Sequence, residues 1–209
     1  MVKVKICGIT NLDDAIAAVE AGADFLGFIF YKNSPRYIDP QKAKDIIQKM
    51  PQSVKKVAVF VNEKKEAVED ILKELKGIDY VQLHGDEPPQ YCNNLKGAKV
   101  IKAVRVKNRD SIASLEGYGV DLFLLDAHRK DLYGGTGETF DWDLAKEAKI
   151  YNVPIILSGG LNPANVEDAI KKAEPYAVDA ASGVESSPGR KDKDLIKSFI
   201  EKVKIGGAR

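Results

Sequence analysis

Eight short apolar runs recur along this chain, each bounded by turn residues and followed by a stretch with helical spacing. The first lies at the amino terminus. Val2, Val4 and Ile6 alternate with Lys3 and Lys5, which places a strand up to Cys7. Gly8 then permits a sharp turn, and Thr10 or Asn11 can cap a helix whose apolar positions are Leu12, Ala15, Ile16 and Val19. Further strands are expected at 24–30, 56–61, 80–83, 100–104, 122–125, 154–157 and 176–179. Runs such as Phe25-Leu-Gly-Phe-Ile suit strands covered on both faces, as in a parallel sheet. Pro40 opens a second helix with Ala43, Ile46, Ile47 and Met50 inside, and Asn162-Pro163 is expected to open the seventh. The last helix spans about 192–204, with Leu195, Ile196, Phe199, Ile200 and Val203 at helical spacing. Eight such units in 209 residues specify an α/β chain closed into a single (β/α)8 TIM barrel, 1–209, more readily than an open doubly wound sheet.

Charge excludes some partners. Net charge is +1, with lysine and glutamate interspersed, so neither nucleic acid nor a membrane surface finds a concentrated basic face. No apolar run approaches a membrane span, and lysines interrupt the apolar start where a signal-peptide core would lie. Two cysteines, Cys7 and Cys92, make no disulfide framework, and a cytoplasmic location is expected. The excess of lysine over arginine points to a thermophilic source.

In a (β/α)8 barrel the carboxyl ends of the strands share one face, and that face carries the site. The residues falling there are Cys7, Arg36, His84, Asp126, Ser158-Gly159-Gly160 and Ser182-Gly183. Gly159 and Gly160 let backbone N–H groups approach an anion, with a helix amino end nearby and Ser182-Gly183 on the next loop. Two adjacent strand ends of this kind favour a phosphate site over a mere tight turn. Cys7 and Asp126, on strands one and six, can serve as general base and general acid on one substrate. Taken singly, a cysteine is more often core filling, and an aspartate after a strand a turn former. Arg36 follows Ser34-Pro35 and can clamp a carboxylate, or be an ordinary surface arginine. His84 is a candidate ligand or hydrogen-bonding residue. His84 and His128 lack H-x-H or C-x-x-C company, which argues against a metal site. Tyr133-Gly-Gly-Thr-Gly137 lacks a Walker lysine and reads as a mobile lid.

KICGIT at 5–10, SPRYI at 34–38, VQLHG at 81–85, GGTGETFDW at 134–142, LSGGLNPANV at 157–166 and SGVESSPGRKD at 182–192 resemble the phosphoribosylanthranilate isomerases, in that family's order and over almost the whole chain. The resemblance implies an Amadori rearrangement in tryptophan biosynthesis without cofactor or metal. N-(5′-phosphoribosyl)anthranilate would become 1-(2-carboxyphenylamino)-1-deoxyribulose 5-phosphate. It also implies Asp126 as acid at the ribose ring oxygen, Cys7 as base at C2′, Arg36 on the anthranilate carboxylate, and Gly159-Gly160 with Ser182-Gly183 on the phosphate. Ala180-Ala181 departs from the Val-Ser more familiar in the family, so no side-chain role falls to Ala181.

Two rival readings stand beside this one. Another phosphate-binding barrel of the same pathway, resembling indole-glycerol-phosphate synthase, would need a lysine acid, and Lys5 is expected to point away from Cys7. A non-catalytic phosphoribosyl-binding barrel would keep the glycine loops without needing Cys7 and Asp126. The expected partner is a small phosphorylated substrate. The chain is expected to be a monomer or homodimer, with Tyr31 and Tyr37 as contact candidates.

Overall fold

The computed structural model describes residues 1–127 and 141–207. The candidate lid at 133–137, and His128, lie outside the described residues. Eight parallel strands form a closed barrel in sequence order, the last pairing back onto the first. They are β1 (Lys3–Cys7), β2 (Phe25–Ile29), β3 (Lys55–Phe60) and β4 (Tyr80–Leu83), then β5 (Lys99–Val106), β6 (Leu122–Ala127), β7 (Ile155–Leu157) and β8 (Ala177–Ala180). The expected barrel is thus the fold the chain adopts, and the strand limits agree with the sequence reading to within two residues.

Alternation along the strands divides the apolar residues into two layers. Phe25, Val57, Val59, Ile101, Ala103, Leu122, Leu124, Ile156 and Ala177 fill the barrel, with Cys7 among them. Ile6, Leu26, Phe28, Phe60, Phe123 and Val178 face outward onto the helices, which is why these strands read as continuous apolar runs. Lys5, Gln82, Asp126, Ser158 and Asp179 interrupt the apolar filling and are all buried.

The first helix, α1 (Leu12–Ala21), is capped by Asn11, whose side chain accepts from Asp14 N at 2.9 Å. Thr10 instead donates its hydroxyl to the Gly189 carbonyl. Ala15 and Ala18 carry the buried stripe of α1, whereas Ile16, another apolar position of that helix, is 39% exposed. The second helix, α2 (Pro40–Ile47), ends before Met50, and α3 (Lys65–Leu75) follows β3. Next come the short α4 (Pro89–Asn93), α5 (Arg109–Ala113) and α6 (Asp143–Glu147). The seventh helix, α7 (Val166–Ala173), starts later than Asn162-Pro163 implied. Asn162 Oδ1 accepts from Ala164 N, and the side-chain amides of Asn162 and Asn165 both donate to the Gly160 carbonyl. These bonds fold 162–165 back over Gly160 as a turn.

A hairpin precedes the last helix. It comprises β9 (Glu185–Ser187) and β10 (Arg190–Lys191), preceded by a 3-10 turn at Ser182–Val184 and followed by α8 (Lys193–Gly206), whose cap is Asp192. None of the barrel's eight units requires this hairpin, and the sequence reading contained no counterpart of it.

Candidate active site

Cys7, Arg36, His84, Asp126, Ser158, Gly159, Gly160, Ser182 and Gly183 all line one cavity at the carboxyl ends of the strands. Around the closed barrel, β7 and β8 separate β6 from β1, so the two glycine-rich loops stand between Asp126 and Cys7. Ile29, Tyr31, Val59 and Val61 supply an apolar wall.

Cys7 ends β1 and is 5% exposed. A Cβ on Gly27, its neighbour on β2, would come within 2.7 Å of the Cys7 sulfur, so a bare glycine makes room for the thiol. Burial pushes the Cys7 thiol up. Lys5 pulls it back, Asp179 opposes ionisation, and Lys191 adds a smaller pull, leaving a net upward shift that keeps the resting thiol protonated. Lys5 does not point away from Cys7. Residues two apart on a strand share a face, so Lys5 lies inside the barrel, fully buried, with its ammonium 2.9 Å from Asp179 Oδ1. Lys5 and Asp179 are register partners on β1 and β8, and Ser158 Oγ donates to Asp179 Oδ2 at 3.2 Å. Burial works against the Lys5 charge, but Asp179 and then Cys7 outweigh it and hold its pKa above the ordinary lysine value.

Asp126 lies in β6, with Oδ1 accepting from Ala127 N at 2.9 Å and Oδ2 lying 3.2 Å from His84 Nε2. His84 Nδ1 is 2.9 Å from the Gln82 amide nitrogen. The ring therefore stands between the Gln82 amide and the Asp126 carboxylate, within hydrogen-bond distance of both. Gly159 must be bare beside this carboxylate: a Cβ there would meet Ala127 N and lie 3.0 Å from Asp126 Oδ1.

Arg36 is 8% exposed and fixed from two sides. Its backbone N–H donates to Ser34 Oγ at 3.1 Å. Its Nε and Nη2 donate to the two oxygens of Glu185 at 2.8 and 2.7 Å. The side-on edge of the guanidinium is therefore engaged, and the end-on edge remains for a ligand carboxylate. Glu185 also accepts from Lys191 Nζ at 2.9 Å, and Lys191 donates to the Ala181 carbonyl at 3.0 Å. Burial raises the Glu185 carboxyl, but Arg36 and Lys191 outweigh it and hold its pKa below the usual glutamate value.

Gly159 and Gly160 adopt φ of 88° and 68°, the left-handed region open to glycine at little cost. The helix expected behind them begins only at Val166, so the 3-10 turn at Ser182–Val184 is the helical end nearest the cavity. Lys5, Gln82, Asp179, Glu185 and Lys191 were missed as site-forming residues. Lys5, Gln82 and Asp179 carried a signal, being polar residues at inward positions of otherwise apolar strands. Among the described residues, no group of three or more His, Cys, Asp or Glu side chains could hold a metal ion, and no helix is long and apolar enough to cross a membrane.

The family model described as N-(5′-phosphoribosyl)anthranilate (PRA) isomerase matches residues 4–202. A protein from Geobacter sulfurreducens named N-(5′-phosphoribosyl)anthranilate isomerase is 50% identical over 204 residues, covering 98% of this chain and 99% of its own. The crystal structure of phosphoribosyl anthranilate isomerase from Thermotoga maritima superposes with a TM-score of 0.90 at 46% identity, covering 98% of this chain and 99% of that one. A crystal structure of a phosphoribosyl anthranilate isomerase in complex with reduced 1-(o-carboxyphenylamino)-1-deoxyribulose 5-phosphate gives a TM-score of 0.87 at 43% identity with the same coverage. With a match running from the first strand into the last helix, the chain belongs to the N-(5′-phosphoribosyl)anthranilate isomerase family.

Proposed function

We propose that this chain, acting as one barrel domain in the cytoplasm, isomerises N-(5′-phosphoribosyl)anthranilate to 1-(2-carboxyphenylamino)-1-deoxyribulose 5-phosphate in tryptophan biosynthesis. The observation that carries the reading is the placement of a buried thiol and a buried carboxylate on one cavity with the glycine loops between them. A phosphate bound by the amides of Gly159, Gly160, Ser182 and Gly183 leaves the ribose lying between Asp126 and Cys7. Asp126 protonates the ring oxygen, and the ring opens to a Schiff base. The Cys7 thiolate takes the proton from C2′, giving an enolamine that tautomerises to the ketone. The end-on edge of Arg36 takes the anthranilate carboxylate, and Ile29 and Tyr31 flank the ring. His84 orients Asp126. No step requires a cofactor. The free thiols of Cys7 and Cys92 suit a reducing compartment. A dimeric phosphoribosylanthranilate isomerase and monomers made from it are known from Thermotoga maritima, and we propose that this chain is likewise a monomer or homodimer.

The test is the fluorescence of phosphoribosylanthranilate generated in place from anthranilate and phosphoribosyl pyrophosphate. Rapid decay on adding the purified chain is expected. Undiminished fluorescence, with a substrate analogue still binding, would move the reading to a non-catalytic barrel.

A further inference from the structure

Lys5 has no part in the proton transfers just described, yet it lies fully buried inside the barrel on the same face of β1 as Cys7. A buried ion pair is weak evidence of stability by itself, since an apolar pair of equal volume often serves as well. Here the pair is built with care. Asp179 holds the ammonium at 2.9 Å across the β1–β8 register, and Ser158 Oγ fixes the other carboxylate oxygen. Cys7 follows two residues along β1 on the same inner face, and the bare Gly27 of β2 leaves room for its sulfur.

We propose that Lys5 is the counter-ion of the Cys7 thiolate, a positioning residue that lets the sulfur carry negative charge inside the barrel when it takes the substrate proton. This rests on the reading of Cys7 as the general base. A thiolate formed among Phe25, Val57 and Ile101 has little water around it and needs a fixed cation nearby. Lys5 keeps its own proton throughout, because Asp179 and the Cys7 thiolate itself both favour the charged ammonium. The proton lost by Cys7 goes to solvent, and the one it later takes comes from C2′. The charged groups acting on the sulfur are Lys5 from β1, Asp179 from β8 and Lys191 from β10. Lys191 is engaged by Glu185, which also binds Arg36. Asp126 and His84 line the same cavity from β6 and beyond β4. Of these, Lys5 pulls hardest toward the thiolate and Asp179 opposes it. The two members of one ion pair therefore act on Cys7 with opposite sign.

That opposition supplies the test. In a Cys92→Ala background, where Cys7 is the only thiol, thiolate absorbance in the far ultraviolet is followed against pH for the parent, Lys5→Met and Asp179→Asn. The expected midpoint lies above the parent in Lys5→Met and below it in Asp179→Asn. Turnover of Lys5→Met at neutral pH is expected to fall about tenfold or more and to recover as pH rises, with KM changed less than about threefold. A Lys5→Met midpoint equal to the parent, or midpoints moving the same way in both variants, would overturn the proposal. If Lys5→Met fails to fold, the volume-matched neutral pair Lys5→Met/Asp179→Asn is titrated instead. Its midpoint is expected above the parent because the Lys5 pull is the stronger, and a midpoint at or below the parent overturns the proposal equally. Full activity in Cys7→Ala would remove the general base reading while leaving the titration result standing.

Discussion

His84 Nε2 faces Asp126 Oδ2 at 3.2 Å, while Nδ1 of the same ring lies 2.9 Å from the Gln82 amide nitrogen. The two strand-end residues meet directly, and the second ring nitrogen is backed by Gln82, which sits deeper in the barrel and is 1% exposed. The chain of contacts fixes the ring orientation that meets the carboxylate. Replacing His84 by Ala is expected to lower kcat about tenfold or more, the scale of losing one hydrogen bond to a charged group, with a smaller change in KM. Gln82→Leu should reproduce part of that loss without touching substrate. Steady-state kinetics on the three proteins decide it. A pure KM effect in His84→Ala would mean the ring contacts substrate rather than orienting Asp126.

Glu185 holds Arg36 by both its oxygens and ties the loop after β2 to the hairpin after β8. Glu185→Gln keeps the size but drops the charge, so Arg36 is less firmly aimed. KM is expected to rise about tenfold, while kcat falls by less. The same pair has an acid limit. Because Arg36 and Lys191 hold the folded Glu185 pKa below its unfolded value, its contribution to stability is complete above the ordinary glutamate pKa. That contribution is lost as pH falls through the lowered value. Urea midpoints measured from neutral to acid pH should therefore drop less steeply in Glu185→Gln than in the parent.

Gly27 gives space rather than chemistry. In Gly27→Ala the new Cβ would meet the Cys7 sulfur at 2.7 Å, with the Cys7 backbone behind it, so the thiol must shift. A cost of about 1–3 kcal/mol in stability is expected, as for other overpacked cores, with turnover falling more than about tenfold. Thermal unfolding and kinetics measured together separate the two effects. Unchanged kcat would show that the thiol position is not critical.

Much of this architecture was readable in the sequence because each strand is covered on both faces, so runs such as Phe25–Ile29 and Leu122–Leu125 stand out as apolar blocks. The nine residues named from strand ends and their loops meet on one cavity because a barrel gathers those ends. The start of α7 was not readable. Asn162-Pro163 has the chemistry of a helix start, but a turn locked onto Gly160 uses Asn162 first. Glu185 was hidden because its partner Arg36 lies 149 residues away and no local pattern announces the pairing. Lys5 is the instructive error. Period-two alternation places it on the same face as Cys7, and only a charge at an inward position disguised a residue of the barrel interior.

The central claim is that Cys7 and Asp126 act as a base and acid pair across the phosphate loops. The most direct measurement is the decay of phosphoribosylanthranilate fluorescence with the parent chain, Cys7→Ala and Asp126→Asn, alongside binding of a product analogue to each. Loss of turnover by about 10²–10⁴-fold in each variant, with analogue binding retained, is the expected result. Turnover surviving in both variants would contradict the account and leave the cavity without an assigned acid or base.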